Sequence, residues 1–170
     1  MKKKKIFIIA GAPGVGKTTI IKDICSKLPK AAHVSIDRLR KFARGGYASP
    51  KNWSIEVEKQ YRLARKNAAD ISRNFLDAGY VVFVDDVFRD SWKEEFQNWL
   101  KEYEIGLIYL RTDLDIIINR DAARQYVVGE KLIIDCYEDL EIQNTSKKGW
   151  TIIENKSLDD VSEKILSIVS

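Results

Sequence analysis

Residues 11–18 read Gly11-Ala12-Pro13-Gly14-Val15-Gly16-Lys17-Thr18 and fill the pattern Gly-x-x-x-x-Gly-Lys-Ser/Thr. The apolar run Ile6-Phe7-Ile8-Ile9-Ala10 precedes them and an amphipathic segment follows, the strand–loop–helix setting in which this pattern makes physical sense. Glycines let the loop curl until successive backbone N–H groups point inward as an anion nest. A helix starting near Gly16 adds the positive end of its dipole. Gly11, Ala12, Gly14, Val15, Gly16, Lys17, Thr18 and Thr19 are therefore the candidate phosphate-holding residues. Lys17 is placed to reach terminal phosphates, and the Thr18 hydroxyl to complete a Mg²⁺ shell. A bound nucleoside triphosphate is the expectation.

Outward from this loop, apolar strand-like runs alternate with helical patterns, which reads as βαβ units and a parallel sheet covered on both faces. The candidate strands are Ile6–Ala10, His33–Ile36, Val81–Asp85, Gly106–Leu110 and Trp150–Glu154. The first helix carries Ile21, Ile24, Cys25 and Leu28 on one face and ends at Pro29, so Cys25 reads as a small core hydrophobe. The longest helix spans about Trp53 to Ala78. Val57, Tyr61, Ala64, Ala68, Ile71 and Phe75 recur on it at helical spacing, and Gly79 takes the place of a C′ glycine. Its charged face includes Arg62, Arg65 and Arg73, of which one or two are expected to reach the cleft. Further helices are expected at Ser91–Tyr103, Leu114–Arg124 and Ser157–Val169.

With 170 residues and no internal repeat or linker, the chain reads as one domain, 1–170. Its 45% hydrophobic content suffices for a core. The net charge of +4 suits an anionic ligand without demanding a long nucleic-acid footprint. Cys25 and Cys136 have no metal-type spacing, and reduced thiols in a cytoplasmic protein are the simplest reading. Lys2 to Lys5 and the run after them mimic the start of a signal peptide, but Gly11 and Pro13 break the run too early. No stretch is long enough to span a membrane.

Ligands of open parallel sheets bind at the carboxyl ends of the strands. There the sequence offers Asp37 after the second strand and Asp85-Asp86-Val87-Phe88 after the third. Asp85 closes the apolar run Val81 to Val84, the form of a metal-side carboxylate, whereas Asp86 reads equally as a substrate contact or a turn cap. Asp37 reads as an acid–base group, the competing reading being the N-cap of a short helix. On the acceptor side, Arg38, Arg40, Lys41 and Arg44 crowd the flexible stretch Ala43 to Pro50, with Tyr47 inside it and Trp53 beyond. Basic plus aromatic content suggests an anionic or nucleotide-like partner; a solvated basic helix is the bland alternative. The lone histidine, His33, starts its strand and reads as structural.

On Gly11–Thr18, Asp37 and Val84-Asp85-Asp86-Val87-Phe88, the chain resembles P-loop kinases of the nucleoside-monophosphate-kinase type. Within them it is similar to chloramphenicol phosphotransferase-like proteins and polynucleotide 5′-kinases. The resemblance implies a three-layer α/β/α fold with a five-stranded parallel sheet in the order 2-3-1-4-5. It implies γ-phosphoryl transfer from ATP, with Mg²⁺, onto a hydroxyl of a small or nucleotide-like acceptor, a short nucleic-acid end included. Asp37 would activate that hydroxyl, and Arg40, in Asp37-Arg38-Leu39-Arg40, would hold an acceptor phosphate. Arg120 and Arg124, in Asn119-Arg120-Asp121-Ala122-Ala123-Arg124, match the start of the family's lid and would stabilise transferring charge. The lid is short here, with only Gln125 to Lys131 before the next apolar run. Thr18 and Asp85 would hold the metal, and Arg44, Tyr47 and Asp86 the acceptor.

A reading of another class is a nucleotide-dependent switch. Asn155-Lys156-Ser157-Leu158 approaches the Asn-Lys-x-Asp guanine motif of GTPases, but Leu158 replaces the aspartate that would grip guanine.

Overall fold

The computed structural model describes residues 4–123, 127–144 and 149–169. Five strands, β1 (Lys5–Ala10), β2 (Ala31–Ser35), β3 (Val81–Asp86), β4 (Glu104–Arg111) and β5 (Thr151–Glu154), form one sheet in the order β2-β3-β1-β4-β5. Every neighbouring pair is parallel. Seven helices connect or follow them: α1 (Lys17–Lys27), α2 (Ile36–Arg40), α3 (Ile55–Asp77), α4 (Asp90–Trp99), α5 (Leu114–Ala122), α6 (Glu130–Asn144) and α7 (Leu158–Val169). This is the α/β fold and strand order that the resemblance to P-loop kinases implies.

The period of two along each strand divides the core into two layers. Phe7, Ile9, Phe83, Ile108, Leu110 and Ile153 point to one face, where α1 and α7 supply Ile20, Ile21, Ile24, Val161 and Ile165. Ile6, Ile8, Val82, Val84, Leu107 and Tyr109 point to the other, under Ala64 and Ala68 of α3, Phe96 of α4, Ile117 of α5 and Ile133 of α6. Each such side chain contributes about 1.5–3 kcal/mol on burial, so apolar runs without alternation are what a sheet covered twice requires. Cys25 packs against the first layer, and burial raises its thiol pKa.

The helix ends follow local chemistry. Ser54 N-caps α3, its hydroxyl accepting from Val57 N at 3.3 Å. At the other end Gly79 N–H donates to Leu76 O and Tyr80 N–H to Phe75 O, with Gly79 at φ 84°, the paired bonds of a Schellman stop.

Several boundaries differ from the sequence reading. β2 begins at Ala31 rather than His33, which puts His33 in mid-strand. The apolar stripe of α3 turns toward Ala69, Ser72 and Leu76 at its end, so Phe75 is exposed and packs edge-on against Tyr80. Helix α4 stops at Trp99, short of Tyr103, and α5 stops at Ala122. Helix α6 is an element the sequence reading did not name. No described helix is long and apolar enough to cross a membrane.

Candidate active site

The loop between β1 and α1 is held open by glycines in backbone regions that side chains avoid. Gly14 and Gly16 have φ of 91° and 102°, in the left-handed half of the map. A Cβ on Gly14 would lie 2.8 Å from Ile117 Cγ2. The turn closes with Val15 N–H donating to Ala12 O, and α1 begins at Lys17. Lys17 Nζ donates to Gly11 O at 2.7 Å and Ala12 O at 3.0 Å, spanning the loop. Thr18 is half-buried beside it, while Thr19 is exposed.

Successive residues of β3 face opposite sides of the sheet, and this separates its two terminal aspartates. Asp85 Oδ2 accepts from Thr18 Oγ1 at 3.3 Å, and Asp85 Oδ1 lies 2.9 Å from His33 Nε2. Burial alone would raise the Asp85 carboxyl, but His33, Lys17 and Ser35 outweigh it and hold the pKa below the ordinary range. An ionised carboxylate beside a hydroxyl is the hard oxygen donor set that Mg²⁺ prefers. Thr18 and Asp85 therefore fit a metal whose other ligands come from phosphates and water. Among the described residues no group of three His, Cys, Asp or Glu side chains could hold one alone.

Asp86 turns toward α3. Burial raises its carboxyl to about 7, against the opposing pull of Lys17 and Arg65, and its Oδ2 is a buried atom without a hydrogen-bond partner. Of the two aspartates, it is Asp85 that contacts Thr18.

Beyond Asp86 lies a cluster of guanidinium groups laid on aromatic rings. Trp53, Tyr61 and Trp92 lie nearly parallel, with centroids 5.3–6.3 Å apart. The Arg40 guanidinium sits 3.7 Å from the Tyr61 centroid and 5.2 Å from that of Tyr47. Arg65 lies 4.1 Å over Trp92, and Arg89 is 5.1 Å from Trp53 and 5.3 Å from Trp92. Arg40 is 2% exposed and Arg65 1%. Arg40 Nη2 donates to Ala48 O at 2.9 Å, but Arg40 Nε and Nη1 have no partner, nor do Arg65 Nε and Nη1. Among the described residues, Arg65 Nη2 is paired with Glu58 at 3.5 Å and Glu95 at 3.9 Å, and burial lowers the Arg65 pKa. A buried cation with free N–H groups is costly unless an anion completes it. Burial raises the pKa of the Tyr61 hydroxyl well above its ordinary value, with Asp86 and Asp37 adding to the rise and Arg40 opposing it.

Gln60 fixes the loop over the cluster: its Oε1 accepts from Ala48 N–H at 3.0 Å and its Nε2 donates to Gly46 O at 2.7 Å. Sequence reasoning missed Gln60, which no motif marks. Arg65 it foresaw only as one of several arginines, because spacing cannot say which cation turns inward. His33 lies in mid-strand rather than at the strand's start, and its Nε2 is 2.9 Å from Asp85 Oδ1, a contact the sequence does not mark.

The remaining candidates are more exposed. Asp37 lies in the first turn of α2, whose N-cap is Ser35, so the capping alternative for Asp37 does not hold. Its Oδ2 pairs with Lys41 Nζ at 2.7 Å, both side chains more than half exposed. Arg44 and Arg120 are exposed, on the loop before α3 and on α5. Arg124 lies outside the described residues.

Known proteins share this architecture. An Acinetobacter baumannii shikimate kinase in complex with shikimate aligns over 99% of this chain and 93% of its own, at 18% identity and TM-score 0.67. The Mycobacterium tuberculosis APS kinase CysC, in complex with AMPPNP and APS, covers 98% of each chain at 14% identity, with TM-score 0.70. The Deinococcus radiodurans tunicamycin resistance protein covers 99% and 96% at 19% identity, with TM-score 0.69. A sequence-family profile described as an AAA domain, AAA_18, matches residues 7–143, and the chain belongs to that family.

Proposed function

We propose that this protein is an ATP- and Mg²⁺-dependent kinase that transfers the γ-phosphoryl group to a hydroxyl of a small anionic or nucleotide-like acceptor. The observation that carries this reading is the buried Arg40, with Nε and Nη1 unpartnered, in the same neighbourhood as Asp37, Asp86 and Lys17. Buried guanidinium N–H groups left without hydrogen-bond partners suit a kinase with a charged acceptor. Solved structures of the same fold are named as an APS kinase and a shikimate kinase, which supports a small-molecule acceptor.

In this scheme the loop amides and Lys17 hold the triphosphate, and the start of α1 adds its dipole. Thr18 and Asp85 would hold Mg²⁺, which would supply charge neutralisation on the phosphates. Arg40 and Arg65 clamp the acceptor's anionic group, and Tyr47, Arg44 and Asp86 line the approach. The acceptor oxygen attacks the γ-phosphorus while the bond to the β–γ bridging oxygen breaks; ADP leaves, and the hydroxyl proton passes to Asp37. Arg120 and Arg124 stabilise the charge on the moving group. Asp37 is suited to its task by position, in the first turn of α2 just beyond the carboxyl end of β2.

The test is an ATP-consumption screen over hydroxyl compounds carrying carboxylate, phosphate or sulfate, with neutral sugars, nucleosides and short oligonucleotides alongside and Lys17→Ala as blank. Consumption stimulated by anionic hydroxyl compounds supports the reading. Consumption unaffected by every acceptor would reduce the protein to a hydrolase.

A further inference from the structure

The sequence Asn155-Lys156 has no role in the scheme above, yet Asn155 is 8% exposed and hydrogen-bonds the phosphate loop. Its Nδ2 donates to Val15 O at 2.6 Å. The asparagine is itself fixed from both sides. Its backbone N–H donates to Arg111 O at 2.7 Å, and Thr112 Oγ1 donates to its carbonyl at 3.3 Å. Asn155 thus ties the ends of β4 and β5 to the middle of the loop. The fit is close: a Cβ on Gly16 would lie 2.8 Å from Asn155 Nδ2.

The Val15 carbonyl and the Gly16 N–H belong to one peptide plane, and in a trans peptide they point in opposite directions. Holding the carbonyl outward toward β5 therefore holds the Gly16 N–H inward. Gly16, at φ 102°, has wide conformational freedom, so this plane would otherwise be among the least constrained in the loop. We propose that Asn155 is a positioning residue: by gripping Val15 O it sets the Val15–Gly16 peptide and aims the Gly16 N–H into the anion nest before nucleotide arrives. The inference rests on the loop being the polyphosphate site. It assigns Asn155 to the phosphates and not to the base, unlike the guanine-reading asparagine that the motif superficially suggests.

The experiment measures dissociation constants for ATP, GTP and inorganic tripolyphosphate, each with Mg²⁺, by calorimetry on the full chain. The proteins are wild type, Asn155→Ala, the isosteric Asn155→Asp and Lys17→Ala. Asn155→Asp keeps the shape but sets an acceptor against the Val15 carbonyl, so it reports on the bond even where the alanine variant folds poorly. The expected result is a loss of about tenfold, the scale of one hydrogen bond, equal for all three ligands in both Asn155 variants. Alongside it, the Gly16 amide resonance of the ligand-free protein shifts. Loss of ATP or GTP affinity with tripolyphosphate binding intact overturns the proposal in favour of base reading. Unchanged affinities in folded variants overturn it outright. If Lys17→Ala binds tripolyphosphate as wild type does, the phosphate-site reading itself fails, a separate result from either.

Discussion

His33 Nε2 lies 2.9 Å from Oδ1 of Asp85, while Thr18 Oγ1 approaches Oδ2 of the same carboxylate at 3.3 Å. A residue of β2 and a residue of α1 thus fix both oxygens of the last-but-one residue of β3, and the parallel register that pairs Val34 with Val84 and Ser35 with Asp85 makes this possible. Groups behind a metal ligand commonly change metal affinity by about 10–100-fold when removed. We expect His33→Ala to raise the Mg²⁺ concentration giving half-maximal ATP binding by at least about tenfold. ATP binding without Mg²⁺ should stay as in wild type. A Mg²⁺ titration of ATP affinity decides it, and an unchanged midpoint would show that Asp85 needs no such support.

Asp86 predicts a pH dependence of stability. Its folded pKa, about 7, lies above the ordinary 3.8 because burial disfavours the charged form. Between these values the folded chain holds a proton that the unfolded chain has released, so stability falls as pH rises from about 4 to about 7 and then levels off. Asp86→Asn removes this slope. The urea midpoint of the variant relative to wild type should be higher at pH 8 than at pH 5; a difference independent of pH would mean that Asp86 is ionised throughout.

Arg40 and Arg65 should separate acceptor binding from donor binding. A hydrogen bond to a charged partner contributes about 1.5–3 kcal/mol, or roughly 10–150-fold. Arg40→Lys keeps the charge but loses the planar stack on Tyr61. It is expected to lower kcat/KM for the acceptor by that range while the ATP dissociation constant moves less than about twofold, an allowance set by the same scale. Arg65→Lys should act in the same direction. Equal losses for ATP and acceptor would place the cluster outside the acceptor site.

Asp37→Asn tests the proton acceptor. General-base catalysis contributes typically 10²–10⁴-fold, so transfer should drop by about that much with ATP affinity nearly unchanged. Lys41→Ala frees Asp37 from its exposed ion pair and should leave stability almost unaffected, since such pairs contribute about 0–1 kcal/mol. Full transfer by Asp37→Asn in a steady-state assay would remove Asp37 from the mechanism.

Gly106 is a packing prediction. A Cβ there would strike the ring of Phe7, which is stacked on Phe83 in the neighbouring strand. Gly→Ala in a strand would otherwise gain about 0.4–1 kcal/mol by stiffening the unfolded chain, but overpacking costs about 1–3 kcal/mol. The clash wins, and Gly106→Ala should lower Tm by several degrees, at roughly 2–4 °C per kcal/mol for a chain of this size. A rise in Tm in calorimetry would mean that the Phe7 ring has room to move.

The parallel sheet and the glycine pattern of the loop were legible in the residues alone, and the strand order through the resemblance. Those rest on local signals: apolar runs without alternation, helical periodicity, and a glycine pattern whose backbone demands are written in consecutive residues. The residues also mark Asp37 and Asp85, which stand at the ends of β2 and β3 where the fold opens, whereas Arg40 is marked through the resemblance. Long-range packing sets which of Arg62, Arg65 and Arg73 turns inward, that His33 meets Asp85, and that Asn155 grips Val15 across 140 positions of chain. The physical reason is common to all three. A side chain's partner across a sheet is set by register and by the rotation of a helix on its bed, and both are fixed by packing the whole core rather than by any short stretch of residues.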